Sequence, residues 1–280
     1  MRIEEVGSGT VNLGEIDGIS HEQLFHDIGV EVAKDNLQYL NEHDKKVVPR
    51  NTIYTRCVKR LIDIVAALFA LIVTLPINLV LGVCTFFDVG HPIFFLQQRY
   101  GKDGKKFTII KFRNMTNATN ELGELLPPDQ RVTKFGKFVR RTSLDEMLNF
   151  VSVLKGDMSL IGPRPLAEQY MERYSDRHKM RYAVRPGLEC PNITCKSGEY
   201  TWKDQFENEI YYVENVSFLL DLKMAFSLVG MVFNRKKTKI RASATRGSFI
   251  GYTKDGESIN SRTVPVEYVK RVAKLYEEAK

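Results

Sequence analysis

The chain offers little of what the common catalytic machineries need. It has no glycine-rich P-loop, no Gly-x-Gly-x-x-Gly fingerprint, no His-Glu-x-x-His and no Gly-x-Ser-x-Gly. P-loop nucleotide hydrolysis, dinucleotide chemistry, zinc proteolysis and esterase chemistry therefore have no support. Its five histidines, at 21, 26, 43, 91 and 178, include none beside a nucleophile, so acid–base work falls to carboxylates. Four cysteines, Cys57, Cys84, Cys190 and Cys195, are too few for a disulfide framework in 280 residues, and a reducing cytosolic setting is the simpler reading. Cys190 and Cys195 have no second Cys/His pair nearby and read as loop thiols rather than zinc ligands. There is no internal repeat and no low-complexity tract.

What is present is unevenly distributed. The length fits one large domain or two small ones with an appendage. Net charge is +7, but residues 1–50 hold 5 Lys and Arg against 10 Asp and Glu, while residues 51–280 hold 36 against 24. The basic section calls for an anionic partner: a phosphorylated substrate, an anionic lipid or nucleic acid. Residues 1–19 carry four glycines and little periodicity, the mark of a loose tail. Ser20 then reads as a cap, with Leu24, Ile28, Ala33, Leu37 and Leu40 at helical spacing to about His43.

Residues 61–87 contain no charge apart from Asp63. At about 1.5 Å per helical residue they are long enough for a hydrocarbon layer of roughly 30 Å. A cleaved signal peptide is excluded, because sixty mostly polar residues precede the run. Pro76, followed by Asn78, predicts a kink. Basic residues stand on both flanks, Arg56, Lys59 and Arg60 before and Arg99, Lys102, Lys105, Lys106 and Lys111 after, which favours keeping both ends cytoplasmic. Two readings stay open: a hairpin dipping into one leaflet, or a kinked transmembrane helix.

Beyond this segment, HPIFFLQQR and GKDGKKFTIIKFRNM read as two strands about a Gly-containing turn. Helical spacing through Leu144, Met147, Leu148, Val151 and Leu154 ends at Gly156, and a further helix is expected over about 164–182. FLLDLKMAFSLVGMVF, residues 218–233, is followed by the basic run NRKKTKIR. It reads either as a helix in the headgroup region of an anionic leaflet or as a core helix with a solvated end. Residues 265–280 predict a last amphipathic helix.

The chemistry concentrates at RRTSLDEMLNF, residues 140–150. One reading is a capping box, Ser143 with Glu146. The other is a carboxylate pair, Asp145 and Glu146, held in a helix's first turn among phosphate-binding cations, with one carboxylate attacking while the other holds a metal ion. Arg131, Lys134, Lys137, Arg140 and Arg141 precede the pair, Lys155, Asp157 and Arg164 follow, and Lys111 and Arg113 stand upstream. Arginine forks suit a bidentate grip on phosphate.

Taken in order, KRLIDIVAA, QQRYGKDGKKFTIIKFRNM, RVTKFGKFVRRTSLDEMLNFVSVLKGDMSLIGPRPL, VRPGL and WKDQFENEIYYVENVSFLLDLKMAF resemble the bacterial sugar transferase family, the monotopic phosphoglycosyl transferases. The resemblance covers about residues 56–233. It implies transfer of a sugar 1-phosphate from a UDP-sugar donor to a polyprenyl phosphate acceptor, giving UMP and a polyprenyl diphosphate sugar, the initiating step of a bacterial surface glycan. By motif, Asp145 is the nucleophile that forms a covalent phosphosugar intermediate, and Glu146 holds Mg2+. Arg140, Arg164 and Lys111 map to phosphate binding, with Arg113 and Asp157 as further site members. The implied membrane element is a re-entrant helix-break-helix at Pro76, although Leu75 stands where the family often has serine. ECPNITC after VRPGL also departs from the family's Thr-Gly-Trp-Ala type segment.

The expected fold is therefore α+β and helix-rich. It comprises an acidic extension (1–55), a re-entrant membrane helix (56–90), a small cytoplasmic catalytic domain with interfacial amphipathic helices (91–240) and a C-terminal segment (241–280). The expected location is the cytoplasmic face of the bacterial inner membrane, on an anionic leaflet, with downstream glycosyltransferases as further partners. Nucleic acid is not expected, because no reading module is present. The rival reading is a non-enzymatic adaptor binding anionic lipid through its basic domain.

Overall fold

The computed structural model describes residues 3–6, 10–13, 21–120, 123, 125–194, 200–233 and 247–278. The expected cap Ser20, the basic run 234–241 and Cys195 lie outside them. In chain order the elements are β1 (Ile3–Val6), β2 (Thr10–Leu13), α1 (His21–His43), α2 (Lys59–Val89), β3 (Phe94–Tyr100), β4 (Lys106–Phe112), α3 (Pro128–Arg131), α4 (Lys134–Thr142), α5 (Asn149–Lys155) and β5 (Ser159–Ile161). They continue with α6 (Asp176–Lys179), β6 (Gly187–Glu189), α7 (Trp202–Asn215), α8 (Phe218–Phe233), β7 (Phe249–Tyr252), β8 (Ser258–Asn260) and α9 (Val266–Glu278). The architecture is mixed and helix-rich. Its four described sheets are two-stranded. The chain divides into two compact units, one of residues 51–165 with 185–189 and the other of 1–50, 166–184 and 190–280.

In the first unit, α2 is preceded by a π-helical turn, Tyr54–Val58. The helical stretch Tyr54–Val89 has a mean hydropathy of 2.6 over its most apolar window, and it is long and apolar enough to cross a membrane. The lone charge within residues 61–87 is explained by docking: Asp63 is buried and accepts the Leu160 amide at 3.0 Å. Arg60 donates to the carbonyls of Val153 and Leu154, at 2.6 and 2.9 Å, satisfying the C-terminal end of α5. Ala67 packs on Val153 and Met158. The backbone remains helical through Pro76. The Thr74 hydroxyl donates to the Ala70 carbonyl (2.7 Å), and the Asn78 amide donates to Thr74 Oγ1 (3.2 Å), as Ser/Thr side chains do beside intrahelical prolines.

The expected hairpin forms, with Phe94 opposite Phe112 and Tyr100 opposite Lys106. Ile109 and Phe112 are both buried, and Phe112 joins Leu81 and Val139 in a small core. Thr133 caps α4, its hydroxyl accepting from the Gly136 amide (2.8 Å) and donating to Asp88 (2.6 Å). Gly136 is required by close approach, since a Cβ there would lie 2.1 Å from the Asn114 carbonyl oxygen. β5 and β6 pair in parallel, Ser159 opposite Gly187 and Ile161 opposite Glu189.

The second unit has its core where α1 meets α9 and the β7–β8 hairpin. Leu24, Ile28 and Val32 pack against Ile250, Ile259, Val264, Val269 and Val272. A buried ion pair, Arg181 to Glu209 at 2.9 Å, and His178, set between the Tyr252 hydroxyl (2.7 Å) and Glu207 (2.9 Å), join α7 to the segment 166–184. On α8, Phe218, Leu219, Leu222 and Phe226 are exposed while Leu220, Asp221 and Met224 are buried. The Tyr212 hydroxyl donates to Asp221 at 2.7 Å.

Three local expectations need correction. Residues 1–19 are not wholly a loose tail, because β1 and β2 pair antiparallel, Ile and Val on one side of a Gly-Ser-Gly segment matching Thr, Val and Leu on the other. The single helix over 164–182 is instead two 3-10 turns, Glu168–Arg173 and Met180–Ala183, about the short α6. Tyr174 is extended and fully buried, an aromatic anchor that overrides helical propensity. The capping box at Ser143 does not form: Ser143 sits in the left-handed region (φ 57°) and makes no side-chain cap.

Candidate active site

Ser143 ends α4 and begins a 3-10 turn, Leu144–Glu146. Because α4 stops there, Arg140 on its last turn and the Asp145–Glu146 pair on the following turn face the same place as the end of β4. Lys111 from β4 reaches Glu146 Oε1 at 2.8 Å. Arg164 grips both Glu146 oxygens through Nη2, at 2.6 and 2.8 Å. Asn114, just past β4, donates to Asp145 Oδ2 (3.1 Å) and accepts from Arg140 Nε (2.9 Å). One amide thus couples the buried Asp145 to Arg140.

Arg164 is placed by backbone contact rather than by a helix. Gly162 donates to the Glu189 carbonyl (3.1 Å) and Gly187 to the Pro163 carbonyl (3.0 Å). A Cβ on Gly187 would lie 2.1 Å from the Gly162 nitrogen, and one on Gly162 would lie 2.6 Å from the Arg185 carbonyl oxygen. The two glycines let the strands meet and bring Arg164 Nη1 to 3.5 Å from Glu189 Oε2. Arg185 donates to the Gly156 carbonyl (2.9 Å), fixing the same loop to the end of α5.

The two carboxylates are pushed apart electrostatically. Burial, then the neighbouring charge of Glu146, raises the Asp145 carboxyl above the usual aspartate value, against the pull of Lys111 and Arg140. Burial works on Glu146 in the same direction, but Arg164 and Lys111 outweigh it and hold that carboxyl below the usual value. The outcome is one cation-bound carboxylate whose ionised form is favoured beside one desolvated carboxylate whose ionised form is disfavoured.

Of the residues singled out by sequence, Lys111, Arg140, Asp145, Glu146 and Arg164 come together. Arg113 does not join them: its guanidinium donates to the carbonyls of Val89, Gly90 and His91, closing the C-terminus of α2. Asp157 shows a backbone bond to the Ser152 carbonyl (3.0 Å) and no side-chain bond to the cluster. Pro76 lies in mid-α2. Asn114 and Glu189 were not singled out. Asn114 lies inside KFRNM among more conspicuous cations, and Glu189 stands next to the cluster only through the β5–β6 pairing. Among the described residues no group of three or more His, Cys, Asp and Glu is arranged to hold a metal ion. Mg2+ commonly uses one or two protein carboxylates and takes its remaining ligands from phosphates and water. The adjacent Asp145 and Glu146 suit that mode.

The arrangement is one for handling phosphates: a carboxylate fixed by an amide, ringed by a lysine and two arginines. Residues 54–235 match the bacterial sugar transferase family, and the chain belongs to it. It is 42% identical over 166 residues to the uncharacterized sugar transferase EpsL of Bacillus subtilis, covering 59% of this chain and 82% of that one. It is 38% identical over 188 residues to a UDP-glucose:undecaprenyl-phosphate glucose-1-phosphate transferase of Klebsiella pneumoniae (64% and 40%). It is 32% identical over 202 residues to a UDP-N-acetylgalactosamine-undecaprenyl-phosphate N-acetylgalactosaminephosphotransferase of Aeromonas hydrophila (69% and 47%). The chain therefore matches less than half the length of the last two.

Proposed function

We propose that the protein transfers a sugar 1-phosphate from a UDP-sugar to undecaprenyl phosphate, releasing UMP and beginning assembly of a bacterial surface glycan. Relatives named for that reaction with glucose and N-acetylgalactosamine donors support the reaction class. The observation that carries the reading is the placement of Asp145, buried and held by Asn114 within a cluster of Lys111, Arg140 and Arg164.

In the mechanism, Asp145 attacks the β-phosphorus of the donor. The bond to the bridging oxygen breaks, UMP leaves with that oxygen, and the sugar phosphate stays on Asp145 as an acyl phosphate. An oxygen of the lipid phosphate then attacks the same phosphorus, which releases polyprenyl diphosphate sugar and restores the carboxylate. Asn114 orients Asp145 by holding Oδ2. Lys111 and Arg164, now on Glu146, transfer to diphosphate oxygens and offset charge there. Glu146, with Asp145 beside it, would hold Mg2+, which supplies further charge neutralisation when bound.

The same proposal puts α2 in the inner membrane as a re-entrant helix bent at Pro76, with the first unit on an anionic cytoplasmic leaflet and the exposed apolar face of α8 in its headgroup region. The lipid-linked product would pass to downstream glycosyltransferases. The test is UMP release by detergent-solubilised protein given Mg2+, undecaprenyl phosphate and a panel of UDP-sugars. Release with at least one sugar, abolished in Asp145→Asn, is expected. Equal release by both proteins would overturn the assignment.

A further inference from the structure

The segment 166–184 carries three arginines in the second unit, and they differ in one respect. Arg177 is paired with Glu207 at 2.6 Å and Arg181 with Glu209 at 2.9 Å. Arg173 is 3% exposed, yet among the described residues no carboxylate lies within ion-pair distance of it. Its Nη1 donates to the Phe249 carbonyl (2.7 Å), its Nε is buried with no hydrogen-bond partner, and its guanidinium lies 5.7 Å from the Tyr170 ring centre. Desolvation is the larger effect on it, and Glu172 and Asp27 act on it only through space; a buried guanidinium with no carboxylate in contact is costly, and native structures resolve that cost by pairing.

Arg173 lines a cleft of about 180 Å³ between α1 and the Glu168–Arg173 turn. Gly29 forms its floor against Arg173: a Cβ there would lie 2.6 Å from the arginine Nε. His26 and Lys34 line the same cleft, as does one carboxylate, Glu172. Lys34 also touches Glu31 at 2.5 Å, while Asp27 is engaged by Gln23 and the Tyr276 hydroxyl. The rest of the wall is Val30, Ala33 and the uncharged Gln169. α1 lies outside the stretch that matches the family, whereas Arg173 lies inside it. The cleft is therefore made by this chain's N-terminal extension against the family segment.

We infer that this cleft is an accessory binding site for a small oxyanion, a phosphate- or carboxylate-bearing molecule whose anionic group supplies the missing partner of Arg173. The volume is below the roughly 300–1,000 Å³ of pockets for drug-sized ligands, which restricts the occupant to a small molecule. The site is separate from the Asp145 cluster and does not depend on the reaction assigned to it.

Trp202, the only tryptophan, lies 5.8 Å from Tyr170 and so reports on the cleft. The experiment titrates full-length protein in detergent with sodium phosphate, and separately with sodium acetate, at ionic strength fixed with chloride, following melting temperature and Trp202 emission. A saturable response to either anion is expected. Gly29→Ala, which presses on Arg173, should abolish it, and Lys34→Ala should weaken affinity by about threefold to fivefold, the scale of one exposed charge contact. Both variants should retain UMP release. Absence of a saturable response in the unaltered protein would overturn the inference. So would a response unchanged in both variants, which would place the anion elsewhere, such as at the catalytic arginines. If Gly29→Ala does not fold, Lys34→Ala, on an exposed side chain, still decides the matter.

Discussion

Gly187→Ala probes the device that places Arg164 without touching any charged group. The added methyl carbon would lie 2.1 Å from the Gly162 nitrogen, 2.6 Å from its oxygen and 2.7 Å from its Cα. All three are backbone atoms, so no side-chain rotation relieves the clash and the strands must separate. Separation breaks or lengthens the Gly162–Glu189 and Gly187–Pro163 hydrogen bonds, worth about 1 kcal/mol each. Overpacking adds about 1–3 kcal/mol. The expected loss is about 3–5 kcal/mol, a fall in melting temperature on the order of 10 °C in a chain of this size. Because Arg164 lies one residue beyond Pro163, UMP release should fall by a larger factor than the folded fraction measured at the assay temperature. Thermal melting by circular dichroism, with UMP release at a temperature where both proteins are folded, is the assay. A variant that melts close to the parent and retains its turnover would refute the close-approach argument.

Asp145→Asn should leave stability at neutral pH unchanged or slightly raised. The folded-state pKa of Asp145 is raised, so its contribution to stability is present below the unfolded pKa and lost as pH rises through the folded one. Denaturant unfolding at pH 7 checks this, and a large loss of stability would contradict it. Glu146 has a lowered pKa and contributes stability above its unfolded value that disappears as pH falls through the folded one. Glu146→Gln should therefore cost about 1–2 kcal/mol at pH 7 and less in acid, below the cost of a fully buried pair because the Arg164 side chain is 40% exposed. Turnover should rise with pH along a limb displaced above that of an ordinary aspartate, a limb that shift-free titration of kcat/KM would contradict. Arg113→Ala should lower thermal stability by loosening the end of α2 while leaving KM for the UDP-sugar within about twofold, since its bonds go to backbone carbonyls.

Much of the site was legible in the sequence because its members are charged and local. Lys111, Arg140, Asp145, Glu146 and Arg164 stand in short motifs, and the structure brings these five together. The hairpin, the long apolar helix, the Gly156 stop and the last helix were readable from periodicity and from glycine. What could not be read was tertiary. Ser143 and Glu146 have the spacing of a capping box, but the left-handed turn at Ser143 serves instead to swing the carboxylates beside Arg140. Arg113 looks like another phosphate ligand until the end of α2 arrives to take its donors. Glu189 acquires its place from a parallel pairing of strands 28 residues apart in register (Ser159 with Gly187, Ile161 with Glu189), with no local signal. The broken segment 166–184 is set by burial of Tyr174, which the pattern of its own sequence does not reveal.

The central claim is that Asp145 carries the sugar phosphate. The most direct measurement is the intact mass of the protein, quenched after incubation with Mg2+ and its UDP-sugar and without polyprenyl phosphate, followed by peptide mapping. The account predicts a mass increase equal to one sugar phosphate, located on the peptide containing Asp145, lost on adding undecaprenyl phosphate and absent in Asp145→Asn. An adduct on a different residue, or lipid-dependent turnover with no adduct on quenching at any time, would contradict it.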